Sequence, residues 1–334
     1  MFVPVVNKNN KPLMPTSPSR AHKWILSQRA TFFWKKGIYC IRMNSDVKEN
    51  IQVIACGIDP GSKREGYSIK SEHHTYVNVL SDTPQDVKES VEQRKNMRRA
   101  RRSRKTRRRI CRFSNRKKKK LPPSTKSRWQ LKLTIAMWLQ YILPITVFVV
   151  EDICAKTKKG AKRWNKSFSP LEVGKHWFYK ELGKLGTVIT KEGWETFQLR
   201  EDLELEKSSN KLADTFECHN VDSWVLANWY VGGHTIPDNT EIVKIVPLKF
   251  HRRQLHALQC SKGGKRREYG GTRSMGFKRG SLVKHKKYGL CYVGGTSKGR
   301  ISVHDLNSGE RISQNVKVED CEFKTYLSFR TIRK

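Results

Sequence analysis

The sequence is poor in acidic residues and has no closely spaced cysteines. Its 334 residues include 30 Asp and Glu against 68 Lys and Arg, which gives a formal net charge of +38. The 8 cysteines form no Cys-x-x-Cys pair, so neither a zinc site nor a dithiol redox motif is indicated. Widely spaced cysteines fit a reducing, intracellular compartment. The first 15 residues lack the apolar core of a signal peptide, and we therefore expect a cytoplasmic location.

One uncharged, apolar stretch covers residues 133–150 and is just long enough to span a bilayer. Pro144 divides it into two parts of different period. Before Pro144 the apolar residues recur at helical spacing, and after it residues 145–150 form a β-branched run of strand length. A membrane span is one interpretation, but a buried helix followed by a central strand explains the change of period better. We therefore expect no membrane partner.

The excess of positive charge requires a polyanion to offset it. Much of the charge lies in one block, residues 93–120, which contains no proline or glycine and predicts a long helix. An anionic membrane surface is the alternative partner, but it would favour an amphipathic face over a block. Arginine also suits bidentate contact with phosphate. Nucleic acid is therefore the favoured partner.

The remaining pattern is that of a mixed α/β chain followed by a glycine-rich β region. Strands are expected at residues 51–58, 66–69, 75–80, 145–151 and 186–190, and helices at 20–28, 127–141, 171–182 and 211–230. From residue 247 onwards, short strands are expected at 281–285, 291–293, 300–306 and 311–314. Their spacing resembles a small basic β-barrel.

Three acidic residues end or follow apolar elements, where an isolated carboxylate would be costly to bury. Asp59 ends the first of the expected strands, Glu151 ends the strand after Pro144, and Asp222 lies in the last helix. Clustered carboxylates need a cation, and Mg²⁺ prefers such hard oxygen ligands. Two such ions could cleave a phosphodiester. We therefore expect these three residues to hold metal.

His219 lies three residues before Asp222 and would share its helix face, where a neutral imidazole could accept a proton from the attacking water. Each residue also has a simpler interpretation. The turn after Asp59 could be ordinary or could be the phosphate loop of an actin-like ATPase. Glu151 could be a plain strand end, and His219 could be structural. The ordered set together with the basic block favours a nuclease.

Four motifs resemble those of the IscB and IsrB proteins, transposon-encoded relatives of the RNA-guided CRISPR nucleases. Pro-Leu-Met-Pro at residues 12–15 resembles their amino-terminal motif. Three further segments resemble their three RuvC motifs. They are Gly-Ile-Asp-Pro-Gly at 57–61, Val-Val-Glu at 149–151 and His-Asn-Val-Asp-Ser at 219–223. Residues 94–116 resemble the arginine-rich bridge helix. Ser223 stands where relatives often have alanine.

The segment between Glu151 and His219 is too short for the HNH nuclease that IscB carries there. It also holds a single histidine, His176, whereas an HNH site needs several. The resemblance therefore favours IsrB, the form without HNH.

The resemblance implies an α/β fold, namely an RNase H-like RuvC core with a bridge helix, a small amino-terminal PLMP domain and a basic carboxy-terminal β-rich module. The implied domains are residues 1–50 (PLMP), 51–92 (RuvC part I), 93–122 (bridge helix), 123–245 (RuvC parts II and III) and 246–334 (a β module that contacts RNA and the target-adjacent motif).

The resemblance also implies an RNA-guided, Mg²⁺-dependent DNA endonuclease that nicks the displaced strand with two ions, for which Mn²⁺ is a substitute. Its partners would be a structured guide RNA and double-stranded DNA with a short adjacent motif, bound by one protein copy in a prokaryotic cytoplasm or nucleoid, or in an organelle. The nucleic-acid contacts would be made by Arg98, Arg99, Arg101, Arg102, Arg104, Arg107, Arg108, Arg109, Arg252 and Arg253. The competing functions are a guide-free junction resolvase and a non-catalytic RNA-binding protein.

Overall fold

The structure is a computed structural model. It describes residues 2–47, 49–103, 121–152, 170–248 and 273–333, together with two short strands at 258–259 and 264–265. All structural statements below concern these residues. The expected bridge arginines 104, 107, 108 and 109 lie outside them, as do Arg252 and Arg253.

A four-stranded sheet with one helix forms the amino-terminal part. Its elements are β1 (Val3–Val6), β2 (Pro12–Thr16), α1 (Pro18–Leu26), β3 (Ala30–Lys35) and β4 (Ile38–Met43), with strand order β2-β1-β4-β3. Ser17 caps α1 by accepting a hydrogen bond from the backbone N–H of Arg20, and Pro18 occupies the first turn, where its missing N–H costs nothing. Ala21 of α1 packs in a small core with Val5 and Ile41.

The central sheet has seven strands in the order β20-β10-β7-β6-β5-β8-β9. Six of them are β5 (Ala55–Asp59), β6 (Arg64–Lys70), β7 (Thr75–Asp82), β8 (Val147–Asp152), β9 (Thr187–Glu192) and β10 (Ile242–Pro247). Strands β5, β6 and β7 form an antiparallel meander, and β8 and β9 continue the sheet parallel to β5. The mixed α/β class expected from the sequence is confirmed.

Helices pack against both faces of this sheet. They are α3 (Pro123–Ile142), α4 (Pro170–Leu182), α5 (Gly193–Asp202), α6 (Phe216–His219) and α7 (Val221–Val231), whereas α2 (Asp86–Ser103) packs against α3. Phe148 of β8 belongs to the core that contains Ile135 of α3, whereas Val147 and Val149 pack with Leu226 of α7. Strand β8 is thus buried on both faces, which explains its continuous apolar run. No helix in the described ranges is long and apolar enough to cross a membrane.

Two sequence expectations about helices were wrong. The helix expected at 211–230 begins at Phe216 and is interrupted at Asn220. The side chain of Asn220 donates to the carbonyls of Tyr67 and Val79, each at 3.1 Å. These hydrogen bonds to the sheet determine where the helix is interrupted. Helix α5 was not expected. It starts with a capping box made by two glutamates, Glu192 and Glu195, in which no serine or threonine signals the helix start.

The basic block is helical at its beginning, because α2 extends through residues 93–103. Helix α2 carries Arg98 and Arg99, which are exposed. The helix also includes Arg101 and Arg102.

The carboxy-terminal strands form an open sheet rather than the expected barrel. After the short strands β11 (Leu258–Gln259), β12 (Gly264–Lys265), β13 (Arg273–Ser274) and β14 (Phe277–Lys278), the five strands β15 (Ser281–His285), β16 (Gly289–Ser297), β17 (Arg300–Asp305), β18 (Arg311–Val316) and β19 (Cys321–Tyr326) pair in the order β18-β17-β16-β15-β19. Within the described ranges, the end strands β18 and β19 do not pair with each other, so closure is absent.

The last strand, β20 (Phe329–Arg333), leaves this module and pairs antiparallel with β10 at the edge of the central sheet. The domain boundaries implied by the sequence assign β20 to the carboxy-terminal module of residues 246–334. Phe329 is fully buried and meets Trp138 of α3 edge-on, with ring centroids 5.3 Å apart. The five-stranded sheet is therefore inserted between two neighbouring strands of the central sheet.

Candidate metal centre

Asp59, Glu151 and Asp222 converge at one edge of the central sheet. Asp59 ends β5, and Glu151 lies on the adjacent parallel strand β8, where Ile58 pairs with Val150. Asp222 is in the first turn of α7. One carboxylate oxygen from each residue lies within 4.8 Å of the others. The structure therefore brings together the three carboxylates that the sequence singled out, although they are up to 163 positions apart in the chain.

Two glycines allow α6 and α7 to approach the sheet closely enough for this. A Cβ atom at Gly57 would lie 1.8 Å from the carbonyl oxygen of Ser223, and one at Gly66 would lie 2.1 Å from that of His219. Both contacts are with backbone, which cannot move aside as a side chain would. The hydroxyl of Ser223 is also satisfied at this interface, 2.9 Å from the hydroxyl of Ser68. The serine at this position is therefore accommodated by a buried partner.

The three carboxylates repel one another. Burial, followed by the charges of Asp59 and Asp222, raises the pKa of Glu151 to about 8. A carboxyl group with such a raised pKa retains a proton at neutral pH unless a cation replaces it. Hard oxygen ligands that gather around unmet negative charge suit Mg²⁺ or Mn²⁺. The donor set therefore fits a divalent metal site.

Two cationic side chains that the sequence did not single out contact the carboxylates. Arg200 of α5 donates from Nη1 to Asp222 Oδ1 at 3.0 Å. Lys207 donates from Nζ to the other oxygen, Asp222 Oδ2, and lies 3.7 Å from Asp59 Oδ2. The two oxygens of Asp222 thus have separate partners. Arg200 fixes the orientation of the carboxylate, and the Lys207 ammonium competes with any metal ion for the oxygens that face the site.

Arg64 anchors the segment that carries Lys207. Its Nη1 atom donates to the carbonyls of Lys211, Leu212 and Ala213 at 2.9 to 3.0 Å, and Nη2 lies 3.3 Å from Asp214 Oδ1. These contacts hold the segment before α6 against β6. No sequence motif marked Arg64, because its partners are mainly backbone carbonyls more than 140 positions away.

His219 ends α6 and, contrary to the sequence prediction, does not share a helix face with Asp222, because the break at Asn220 places Asp222 on α7. Its Nε2 atom lies 3.2 Å from Arg64 Nη1 and 3.0 Å from the carbonyl oxygen of Ala213. Nε2 can accept from Arg64 or donate to Ala213, but one tautomer cannot do both. Burial and then the charge of Arg64 lower the pKa of His219. The imidazole is therefore neutral at pH 7, as a proton acceptor must be, while its Nε2 contacts are with Arg64 and Ala213.

A buried ion pair supports the turn that follows Asp59. Lys132 of α3 donates to Glu65 and to the carbonyl oxygen of Gly61, the latter at 3.2 Å, and the two side chains are 4% and 0% exposed. Burial lowers the pKa of Lys132 to about 7, whereas the charge of Asp59 acts in the opposite direction. Lys132 therefore connects the helix layer to the turn that positions Asp59.

Residues 3–166, just under half of the chain, match the model of the RRXRR family, described as RRXRR protein and associated with IscB- and IsrB-type proteins. No curated protein matches. Solved structures similar to this chain include Thermus thermophilus RuvC in complex with a Holliday junction substrate (TM-score 0.31, 11% identity, 55% of this chain and 98% of that one) and the same protein alone (0.30, 11%, 52% and 91%). The yeast mitochondrial Holliday junction resolvase Ydc2 is also similar (0.28, 12%, 53% and 77%).

The raised pKa of Glu151 predicts pH-dependent metal binding. Below about pH 8 a metal ion must displace its proton, so the apparent affinity for Mn²⁺ should rise roughly tenfold per pH unit and level off above that value. The same pKa shift affects the stability of the metal-free fold. The proton on Glu151 contributes fully to the free energy of unfolding below the ordinary pKa of 4.5, and this contribution is lost as the pH rises through about 8. Calorimetric titration with Mn²⁺ in buffers of different ionisation enthalpy would measure the released proton. A Glu151→Gln variant should show no such slope, and an unchanged slope would refute the assignment.

Proposed function

We propose that this chain is a divalent-metal-dependent endonuclease that cuts DNA. The observation that carries the proposal is the meeting of Asp59, Glu151 and Asp222, from three separate elements, within 4.8 Å at one sheet edge. The meander β5–β7, continued by parallel strands β8 and β9, agrees with the RNase H-like core that the resemblance implies. The net charge of +38 supports a polyanionic substrate.

Each residue of the site has a role in the proposed reaction. Asp59, Glu151 and Asp222 would hold two Mg²⁺ ions. Such ions, when bound, activate the attacking water and stabilise the leaving oxygen of a phosphodiester. Arg200 orients Asp222 through Oδ1, which leaves Oδ2 for the metal. Lys207 turns from the carboxylates to the phosphate of the substrate. His219, neutral at pH 7, accepts the proton of the attacking water once its Nε2 atom leaves Arg64 and Ala213.

The finer proposal is an RNA-guided nickase of the IsrB type. It is supported by the match of residues 3–166 to a family associated with IscB- and IsrB-type proteins, and by the helical start of the basic block. A guide RNA paired with one DNA strand would be held by its backbone, with the arginines of residues 98–109 and Arg252 and Arg253 contacting phosphates. One protein copy would form the ribonucleoprotein.

With one nuclease centre, the enzyme should cut one strand of a guided target. The cut strand should be the displaced one, because the other is held in a heteroduplex. Each DNA strand can be labelled separately and the products resolved on denaturing gels, with and without the RNA that copurifies. We expect a single nick in the displaced strand that depends on RNA and leaves a 5′-phosphate and a 3′-hydroxyl.

Three outcomes would contradict this finer proposal. Cutting of both strands or of the paired strand would refute the nickase. Equal cutting without RNA, especially of branched DNA, would favour a guide-free junction resolvase. Cleavage that persists in excess EDTA would refute the metal-dependent nuclease itself.

A further inference from the structure

Helix α5 borders the metal centre with its amino-terminal end. A Cβ atom at Gly193, the first residue of α5, would lie 3.1 Å from Glu151 Oε1. Seven residues later, Arg200 on the same helix contacts Asp222. Between these two points the helix presents two large aromatic side chains to solvent, Trp194 and Phe197, which are 63% and 53% exposed. They are three positions apart and therefore share one side of the helix.

Both rings are held in place although they are exposed. The indole N–H of Trp194 donates to Glu192 Oε2 at 2.9 Å, and Glu192 is itself fixed by the capping box. The guanidinium of Arg200 lies over the ring of Phe197, 5.0 Å from its centroid. Thr196 is the buried residue of α5, whereas both rings are mainly exposed to solvent.

Scattered exposed aromatics are common on protein surfaces and need no explanation. This pair differs because the helix that carries it borders the carboxylates through Gly193 and Arg200. In addition, the Arg200 cation that contacts Asp222 also lies over the Phe197 ring. Proteins bind unpaired nucleic acid with aromatic side chains that lie next to cationic ones. The bases stack on the rings, and the phosphates contact the positive charges. A base inside a duplex is already stacked on both faces and cannot use such a surface.

We infer that Trp194 and Phe197 form a stacking platform for unpaired bases of the DNA strand whose phosphate enters the metal centre. The inference deepens the proposed function and rests on it. It adds Trp194 and Phe197 as positioning residues for the unpaired strand. Arg200 has two parts in this arrangement, because it orients Asp222 with one nitrogen and supports the Phe197 ring with its plane.

The test uses the full-length protein with Asp59→Asn, freed of nucleic acid, so that binding is measured without cleavage. The probe is an oligodeoxynucleotide that carries 2-aminopurine, whose fluorescence is quenched by stacking. We expect Trp194→Ala with Phe197→Ala to weaken binding roughly 5- to 100-fold and to relieve the quenching. Trp194→Phe should retain most of the affinity. Phe32→Ala, which removes an aromatic ring of β3 that is 54% exposed, is the matched control and should change neither readout.

An abasic oligonucleotide separates stacking from other effects. It has the same phosphates but offers no bases, so the double variant and its parent should bind it equally. Equal loss on the normal and abasic strands, or no loss on either, would overturn the inference. A lower melting temperature without a change in binding would also overturn it, since the rings would then contact protein. Cleavage by the unsubstituted protein is measured separately and decides the proposed function.

Discussion

Replacing Asp59 or Asp222 with asparagine, or Glu151 with glutamine, should abolish cleavage while binding of nucleic acid persists. Each change removes a negative ligand without changing the side-chain shape. Loss of metal-assisted stabilisation worth several kcal/mol corresponds to a rate reduction of roughly 10³-fold or more. Affinity should remain because it comes from the basic surface, where 68 Lys and Arg outnumber 30 acidic residues. Single-turnover cleavage and filter binding would measure the two properties separately.

Asp202→Asn is the matched control, because it removes an exposed carboxylate from the end of α5 and should leave the rate unchanged. His219→Gln should lower the cleavage rate by about 10²- to 10⁴-fold, the range for loss of a general base. An undiminished rate in Asp59→Asn would show that the carboxylate cluster is not the catalytic centre. Loss of binding in all three variants would show instead that they no longer fold.

Replacing Lys132 with methionine should destabilise the protein by about 3–5 kcal/mol. The change leaves the carboxylate of Glu65 buried without its cation. Glu65 has little to compensate, because its Oε1 atom already has no hydrogen-bond partner. The turn at Gly61 would also lose the hydrogen bond from Lys132. Urea denaturation followed by circular dichroism would measure the change in the free energy of unfolding.

The double variant with Lys132→Met and Glu65→Met should recover most of this loss, because a buried ion pair can be exchanged for apolar side chains at little net cost. Lys184→Met is the control, since it breaks the largely exposed pair between Lys184 and Glu181 and should change stability by about 1 kcal/mol or less. A double variant as unstable as the single one would show that Lys132 acts through packing rather than through charge.

Much of the carboxylate cluster could be predicted from the chain because each of its residues lies in a local pattern. Asp59 and Glu151 end apolar strands, and parallel neighbouring strands bring such ends to one edge. Asp222 precedes an apolar helical run, and its expected burial there signalled a compensating cation. The sequence did not predict the helix break at Asn220, because two carbonyls on strands distant in sequence decide it and helix propensity does not.

The cationic residues of the site could not be predicted in the same way. Arg200 and Lys207 belong to a polar stretch that reads as a solvated surface, and Lys132 belongs to a helix whose apolar period it interrupts. Their roles depend on partners that are distant in sequence. Asp222 lies 22 positions from Arg200 and 15 from Lys207, and Glu65 lies 67 positions from Lys132. Such pairings depend on how the helices dock on the sheet, which local periodicity does not specify.

By itself, the sequence determined the α/β class, the three carboxylates and a basic surface suited to nucleic acid. The spacing of apolar residues and the ends of strands are local properties, and net charge is a sum over the chain. Only the tertiary structure decided that α5 lies beside the centre, that Arg200 and Lys207 face Asp222, and that β20 returns to the central sheet. These features depend on long-range contacts. The backbone approach allowed by Gly57 and the strand added at the sheet edge become visible only when their distant partners are in place. Helix α5 was missed for a local reason, because its capping box uses two glutamates.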